Sequence, residues 1–199
     1  MYKLLIACQQ LSLILIRGKN MKKIAIVALL SAFVATPAHA DNTGKMYIGG
    51  DLGSSTFSNI SPFPNPGVFR FVFGSQFSPN LAAEVGYSVF GDSTYSGPGG
   101  SATLSATAFQ IAAIGILPLS PQFDLTGKLG FSANKGKLTS TIGISGDESN
   151  SSLLFGVGAQ FHLNSQFTFR VQYDDYGDFD NNSPAISATA ISLGVLYNF

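Results

Sequence analysis

The chain has 199 residues, 45% hydrophobic and only 11% charged, with 22 glycines, 17 phenylalanines, no tryptophan and one cysteine. That charge fraction is under half of the roughly 25% usual for soluble domains, and it excludes a disordered chain, which is polar and charge-rich. Formal net charge is zero, and no lysine or arginine cluster lies outside the N-terminus, which argues against a nucleic-acid binder. The zero hides an asymmetry. Lys3, Arg17, Lys19, Lys22 and Lys23 precede residue 24, whereas after residue 40 six basic side chains face eleven acidic ones.

The first forty residues read as an address. Lys22 and Lys23 follow Met21 as a positive n-region, Ile24 to Val34 form an apolar stretch of signal-peptide length, and Ala38-His39-Ala40 is a small-x-small cleavage site. We expect a secretory signal over 21–40 with cleavage after Ala40, so Ala38 and Ala40 are the cleavage residues and 41–199 is the mature chain. Residues 1–20 are a second apolar run that a secretory n-region does not need, and they are expected to be an upstream extension before the true start at Met21. Leu5-Ile6-Ala7-Cys8 has no apolar run before it, as a lipoprotein box requires. Cys8 is the only cysteine, so the mature chain offers no disulfide, thiolate metal site or thiol nucleophile.

After residue 40 no run of 18 apolar residues suits a transmembrane helix, and what repeats is a period of two. Leu81, Ala83, Val85, Tyr87 and Val89 alternate with Ala82, Glu84, Gly86 and Ser88. Phe167, Phe169, Val171 and Tyr173 alternate with Thr168, Arg170, Gln172 and Asp174. Period two means strand. In chain order the strands are expected at 45–54, 68–77, 81–91, 102–118, 123–136, 151–163, 167–176 and 185–199. Gln110 interrupts the even-numbered apolar row of the fourth and leaves its register open.

The connections alternate. Those at 78–80, 119–122 and 164–166 are short, while 55–67, 92–101, 137–150 and 177–184 are long and rich in Gly, Ser, Asn and Pro. Short turns at one end and long loops at the other describe an all-β, eight-stranded, antiparallel up-and-down barrel spanning an outer membrane. A soluble barrel also alternates, with its apolar parity inward. Here Gly49, Gly53, Gly74, Gly86, Gly130, Gly156, Gly158 and Gly194 share the parity of the strand charges, and a narrow interior needs small residues. The Phe, Leu, Val and Tyr row is then the lipid face. Phe77, Phe123, Phe161, Phe167, Tyr197 and Phe199 fall at the short-turn end, and Tyr87, Phe131, Phe155 and Tyr173 higher, as two interfacial girdles.

By the same parity Asp51, Arg70, Glu84, Lys128, Arg170 and Asp174 point inward. Charges in a narrow lumen need partners, and three acids with three bases supply them. One reading is a gate or ion path. The other is a structural plug, expected because eight strands leave an interior just filled by side chains.

Ile191-Ser192-Leu193-Gly194-Val195-Leu196-Tyr197-Asn198-Phe199 ends the chain. This pattern, with Ile191, Leu193, Val195, Tyr197 and Phe199 on one face, resembles the C-terminal signal read by the outer-membrane barrel-assembly machinery. With Met46-Tyr47-Ile48-Gly49-Gly50-Asp51-Leu52-Gly53, Ala83-Glu84-Val85-Gly86-Tyr87, Lys128-Leu129-Gly130 and Phe169-Arg170-Val171-Gln172-Tyr173, it makes 45–199 resemble the OmpA-like eight-stranded outer-membrane barrels. The resemblance implies that Glu84, Lys128 and Arg170 belong to an internal salt-bridge network. Ala113, Gln160 and Gln172 stand where that family carries charges, and Asp51 where it carries a base, which implies a smaller, differently wired network. Some family members carry a further periplasmic domain that grips peptidoglycan. None of the quoted motifs belongs to it, so wall tethering is not implied.

Two other chemistries have residues of the right type in the chain. Small outer-membrane barrels that act on lipids carry a Ser/His pair at the extracellular rim. Here His162 is the only histidine after residue 40, it precedes the Asn164-Ser165 turn at the opposite end, and Asp124 is the one acid placed to orient it. No enzyme is expected. Asp174, Asp175, Asp178 and Asp180 cluster as a calcium loop would, without the EF-hand spacing or its closing Glu. No metal or other cofactor is expected. The expected function is structural or surface-interacting, through extracellular loops that serve envelope integrity, adhesion or contact with a host or surface ligand. A narrow ion or small-solute channel is the alternative. Expected partners are outer-membrane lipid and lipopolysaccharide, with periplasmic chaperones and the assembly machinery during biogenesis, and the barrel is expected to be monomeric. Phe57, Ile60 and Phe63, among the prolines of the first long loop, are the candidate surface contact, with self-packing of that loop as the other reading.

Overall fold

A computed structural model describes residues 44–59, 63–97, 100–141, 145–180 and 185–199. The expected leader, its cleavage residues Ala38 and Ala40, and Ile60 of the first loop lie outside these. Eight strands follow in chain order: β1 (Met46–Phe57), β2 (Gly67–Ser78), β3 (Leu81–Gly97), β4 (Gly100–Ser120), β5 (Phe123–Ser140), β6 (Ser145–His162), β7 (Phe167–Asp178) and β8 (Ser187–Asn198). Each pairs antiparallel with the next, and β8 closes onto β1. Closure leaves no unpaired edge in the wall, as a bilayer without water demands.

Period-two patterning becomes an inside and an outside. Phe71 is 47% exposed on the outer wall, Val85 38% and Val171 46%, while Glu84 and Arg170 inside are 2% and 3%. All ten girdle aromatics lie on the outer wall. The small residues make room for the large polar ones. Gly194 stands opposite both Asp51 and Arg170 across the ladders, Gly156 opposite Lys128 and Asp174, and Gly74 opposite Glu84. A side chain at Gly194 or Gly156 would run into the Asp51 or Asp174 carboxylate, and one at Gly74 into the Tyr47 ring.

The structure corrects the reading of three regions. In β4 the even-numbered row, Ala106, Ala108, Gln110, Ala112, Ile114 and Ile116, is buried in the lumen, while Phe109 and Ile111 face out. Apolar residues are therefore not confined to the lipid side. Ala113 is consequently on the outer wall and holds no place in the interior network. Its neighbour Ala112 is the inward residue paired with Glu84. The stretches 92–101 and 137–150, expected as loops, are mostly strand: the β3–β4 and β5–β6 ladders continue to Gly97↔Gly100 and Thr139↔Ser145. Their Ser, Thr and Gly residues read as turn formers, yet hydroxyl pairs such as Thr94 Oγ1 to Thr103 Oγ1 at 3.0 Å support the ladder. Finally, Phe57 is the last residue of β1 and points inward, 8% exposed, so it is not a surface contact.

Candidate functional site

The lumen holds three layers. In the middle, the six charges brought in by β1, β2, β3, β5 and β7 form one closed ring with alternating signs. Arg70 Nε lies 2.8 Å from Asp51 Oδ2, and Arg70 Nη1 bonds Asp174. Lys128 Nζ lies 3.3 Å from Asp174 Oδ1 and 3.0 Å from Glu84 Oε1. Arg170 Nη1 donates to Glu84 Oε2 at 2.7 Å, and its Nε and Nη2 fork onto Asp51 at 2.6 and 2.5 Å, closing the circle. Each base touches two acids and each acid two bases, so the positive and negative charges balance within the ring. Arg170 makes three charged hydrogen bonds, the strong kind. Lys128 sits at ion-pair distance from its two acids without hydrogen-bond alignment to either, which makes it the loosest member. Tyr47 adds a hydroxyl to Glu84 at 3.3 Å, and Ser192 accepts from Arg70 at 3.3 Å.

Above the ring, towards the long hairpins, sits an aromatic lid. Phe90 meets Phe57, Tyr176 and Phe179 edge-on, with ring centroids 5.3, 5.3 and 5.6 Å apart. Such T-shaped contacts suit the ring quadrupoles. The Tyr176 hydroxyl reaches down to the ring, accepting from Arg70 at 3.4 Å, and shares a hydrogen bond with Ser88 at 2.9 Å. Asn134 holds the end of β7 over the lumen by donating to the carbonyls of Tyr176 and Asp178, both at 2.9 Å. There the β7–β8 register shifts between Asp175 and Asp178, and Gly177 takes a φ of 66° that L side chains rarely adopt.

Sequence patterning alone did not single out the lid, although its signal is present. Phe90 shares the parity of Glu84, Gly86 and Ser88, and Tyr176 that of Arg170, Gln172 and Asp174. Bulk by its size points to lipid, and these buried rings are the exception.

Below the ring, Tyr47, Ala82, Ile114, Ile116 and Leu196 pack with polar neighbours around a space of about 20 Å³, room for about one water. At the short-turn mouth, His162 Nε2 lies 2.7 Å from Asp124 Oδ2 and its Nδ1 2.9 Å from Thr168 Oγ1, which Asn198 also contacts at 3.2 Å. This chain ties β5, β6, β7 and β8 together. The hydroxyl in reach of the imidazole belongs to Thr168, which is fully buried, whereas Ser165 is exposed in the turn.

The acidic run disperses. Asp174 joins the ring, Asp175 accepts from Gly177 N at 2.9 Å, and Asp180 accepts from Ile186 N at 2.9 Å. Among the described residues no group of three or more His, Cys, Asp or Glu side chains could hold a metal.

Outside the wall, β3, β4, β5 and β6, at 17 to 21 residues, outrun the 12-residue strands β1, β2, β7 and β8. Four strands therefore rise beyond the barrel as one sheet. The first loop folds against it: Phe63 packs on Tyr95 with centroids 6.2 Å apart, and Ser93 donates to the Pro64 carbonyl at 2.5 Å. Phe57 lies in the lid and Phe63, half-buried, against β3, so the two described rings of the candidate contact loop do not form one exposed cluster.

A family model described as the outer membrane protein beta-barrel domain matches residues 25–199. Outer membrane protein A of Klebsiella aerogenes is 28% identical over 197 residues, and that of Yersinia pseudotuberculosis serotype I (strain IP32953) 30% over 200; each alignment covers 90% of this chain and 56% of the relative. The chain thus spans just over half the length of these relatives. The crystal structure of Ail, the attachment invasion locus protein of Yersinia pestis, in complex with the heparin analogue sucrose octasulfate, superposes with a TM-score of 0.60 at 18% identity, over 79% of this chain and 99% of Ail. At that identity the likeness concerns the fold. The alternating wall, the filled lumen and these matches agree: the chain belongs to the outer membrane protein beta-barrel domain family and is an eight-stranded outer-membrane barrel.

Proposed function

We propose that this barrel is a sealed, non-catalytic anchor whose work is done outside the cell by the sheet that β3 to β6 raise above the membrane. The carrying observation is the contrast between a lumen filled by a charged ring and an aromatic lid and a wall in which half the strands extend well past the rest. Chemistry concentrated on exposed loops over a rigid scaffold is how such proteins make contacts. Adhesion or another surface contact, with a share in envelope integrity, is the function. Membrane lipid and lipopolysaccharide surround the wall. Ile191, Leu193, Val195 and Tyr197 on β8 and Phe199 just after it are all exposed on the outer side, where assembly machinery can read them as one apolar row once chaperones deliver the chain, and the closed barrel works as a monomer. Among the described residues a buried charged ring and buried aromatic side chains occupy the lumen, which disfavours the narrow-channel reading, and the His162 cluster serves as a clasp at the mouth.

The test replaces residues 92–105 and 135–149 by tight turns in the full chain. We expect the shortened barrel to keep heat-modifiable gel mobility while cells expressing it lose attachment to surfaces that the parent binds. Unchanged attachment, or large stable conductance steps from the parent in planar bilayers, would contradict the proposal.

A further inference from the structure

The outer wall of β5 can be read as a ruler. Its outward residues run Phe123, Leu125, Gly127, Leu129, Phe131 and Ala133, then Lys135 and Lys137. Ten residues separate Phe123 from Ala133. At about 3.3 Å per residue and a strand tilt of about 40°, that is about 25 Å of height, the thickness of a barrel's apolar band. Lys135 is the next outward residue, so its ammonium lies where outer-leaflet headgroups begin.

After residue 40 the other basic residues are Lys45 at the short-turn end and Arg70, Lys128 and Arg170 in the lumen ring. Among the described residues, Lys135 and Lys137 are therefore the only cations on the outer wall at the long-hairpin end. Neither makes an ion pair among the described residues.

Their settings differ. Lys135 is in register with Thr107 on one side and Ser149 on the other, two neutral hydroxyl donors on the same face. Lys137 is in register with Asp147 and with Ser105, whose hydroxyl donates to Asp92 at 2.6 Å, so acids flank it on both sides. A cation with hydroxyl donors to either side, at headgroup depth, suits a phosphate. A cation between two carboxylates suits it far less.

We propose that Lys135, with the hydroxyls of Thr107 and Ser149, binds a phosphate of an outer-leaflet glycolipid, the phosphorylated lipid anchor of lipopolysaccharide. This rests on the reading that the long hairpins face outside. Depth argues for a membrane lipid over a soluble anion. The ammonium of Lys135 lies at headgroup depth, just above the apolar band, whereas the sheet carries Asp147 and Glu148 beyond it and would repel anions arriving from solution.

The test titrates diphosphorylated lipid A, the same lipid stripped of phosphate, and inorganic phosphate against the full mature chain, refolded in micelles and checked for heat-modifiable mobility, with binding read by native mass spectrometry. We expect diphosphorylated lipid A to bind about tenfold tighter than the stripped lipid, Lys135→Gln to abolish that preference, and Lys135→Arg and Lys137→Gln to keep most of it. Equal binding of the two lipids by the parent, full preference in Lys135→Gln, or displacement by millimolar inorganic phosphate would overturn the assignment. Attachment is read separately on the shortened barrel, so unchanged attachment there, with the parent's lipid preference intact, refutes the proposed function and leaves this site standing.

Discussion

Arg170→Met should lower the unfolding free energy of the barrel by about 3–5 kcal/mol, the range for breaking a buried ion pair from one side. It removes three hydrogen bonds at once, two to Asp51 and one to Glu84, and leaves the ring with three acids and two bases. The measurement is the urea midpoint in lipid vesicles, followed by loss of the fast-migrating folded band. Arg170→Lys should recover only part of the loss, because an ammonium cannot reproduce the two-pronged grip on one carboxylate. The double variant Arg170→Met/Glu84→Met restores charge balance and should lose less than Arg170→Met alone. Lys128→Met should cost less than Arg170→Met, since Lys128 has no aligned hydrogen bond in the ring. A wild-type midpoint for Arg170→Met would mean that the ring contributes nothing to stability.

Phe90→Ala should cost about 3–5 kcal/mol, as expected for emptying a buried phenylalanine site, and yet leave the barrel electrically silent. Phe90 is in contact with three other rings of the lid, so its removal opens an apolar cavity above the charges. The ring beneath still blocks the lumen. The two layers thus separate stability from permeability. Planar-bilayer recordings of Phe90→Ala showing large steady steps would move the seal from the ring to the lid, and an unchanged urea midpoint would show that the lid packs loosely.

Much of this architecture is legible from alternation because most strands keep one chemistry per face. β7 sets Phe169, Val171 and Tyr173 against Arg170, Gln172 and Asp174, and in β2, where Val68 and Val72 also face inward, the row of Phe69, Phe71 and Phe73 still marks the outer side by its bulk. β4 does not divide this way. Alanine occurs on both of its faces, and Ile114 and Ile116 face an apolar layer below the ring, so hydrophobicity carries no direction there and Ala113 is easily placed on the wrong side. The hairpins were hidden for a different reason. Ser, Thr and Gly mark turns in most contexts, while a ladder already anchored in the wall can extend through them. The lid was hidden because aromatic bulk in a lipid-facing protein points to the lipid by default, and only parity with Glu84 and Asp174 marks Phe90 and Tyr176 as interior. The wiring of the ring needs three dimensions: Arg70 and Asp174 are 104 residues apart in sequence, and no local pattern pairs them.

The natural chain contains no tryptophan, so a single introduced indole reports its own surroundings. Phe71→Trp, Val171→Trp and Leu193→Trp should each be strongly quenched when the barrel is refolded into bilayers of acyl-brominated lipid, while Phe90→Trp and Tyr176→Trp should fluoresce undiminished. Quenching at 90 and 176 with shielding at 71, 171 and 193 would turn the wall inside out and contradict the account at its base.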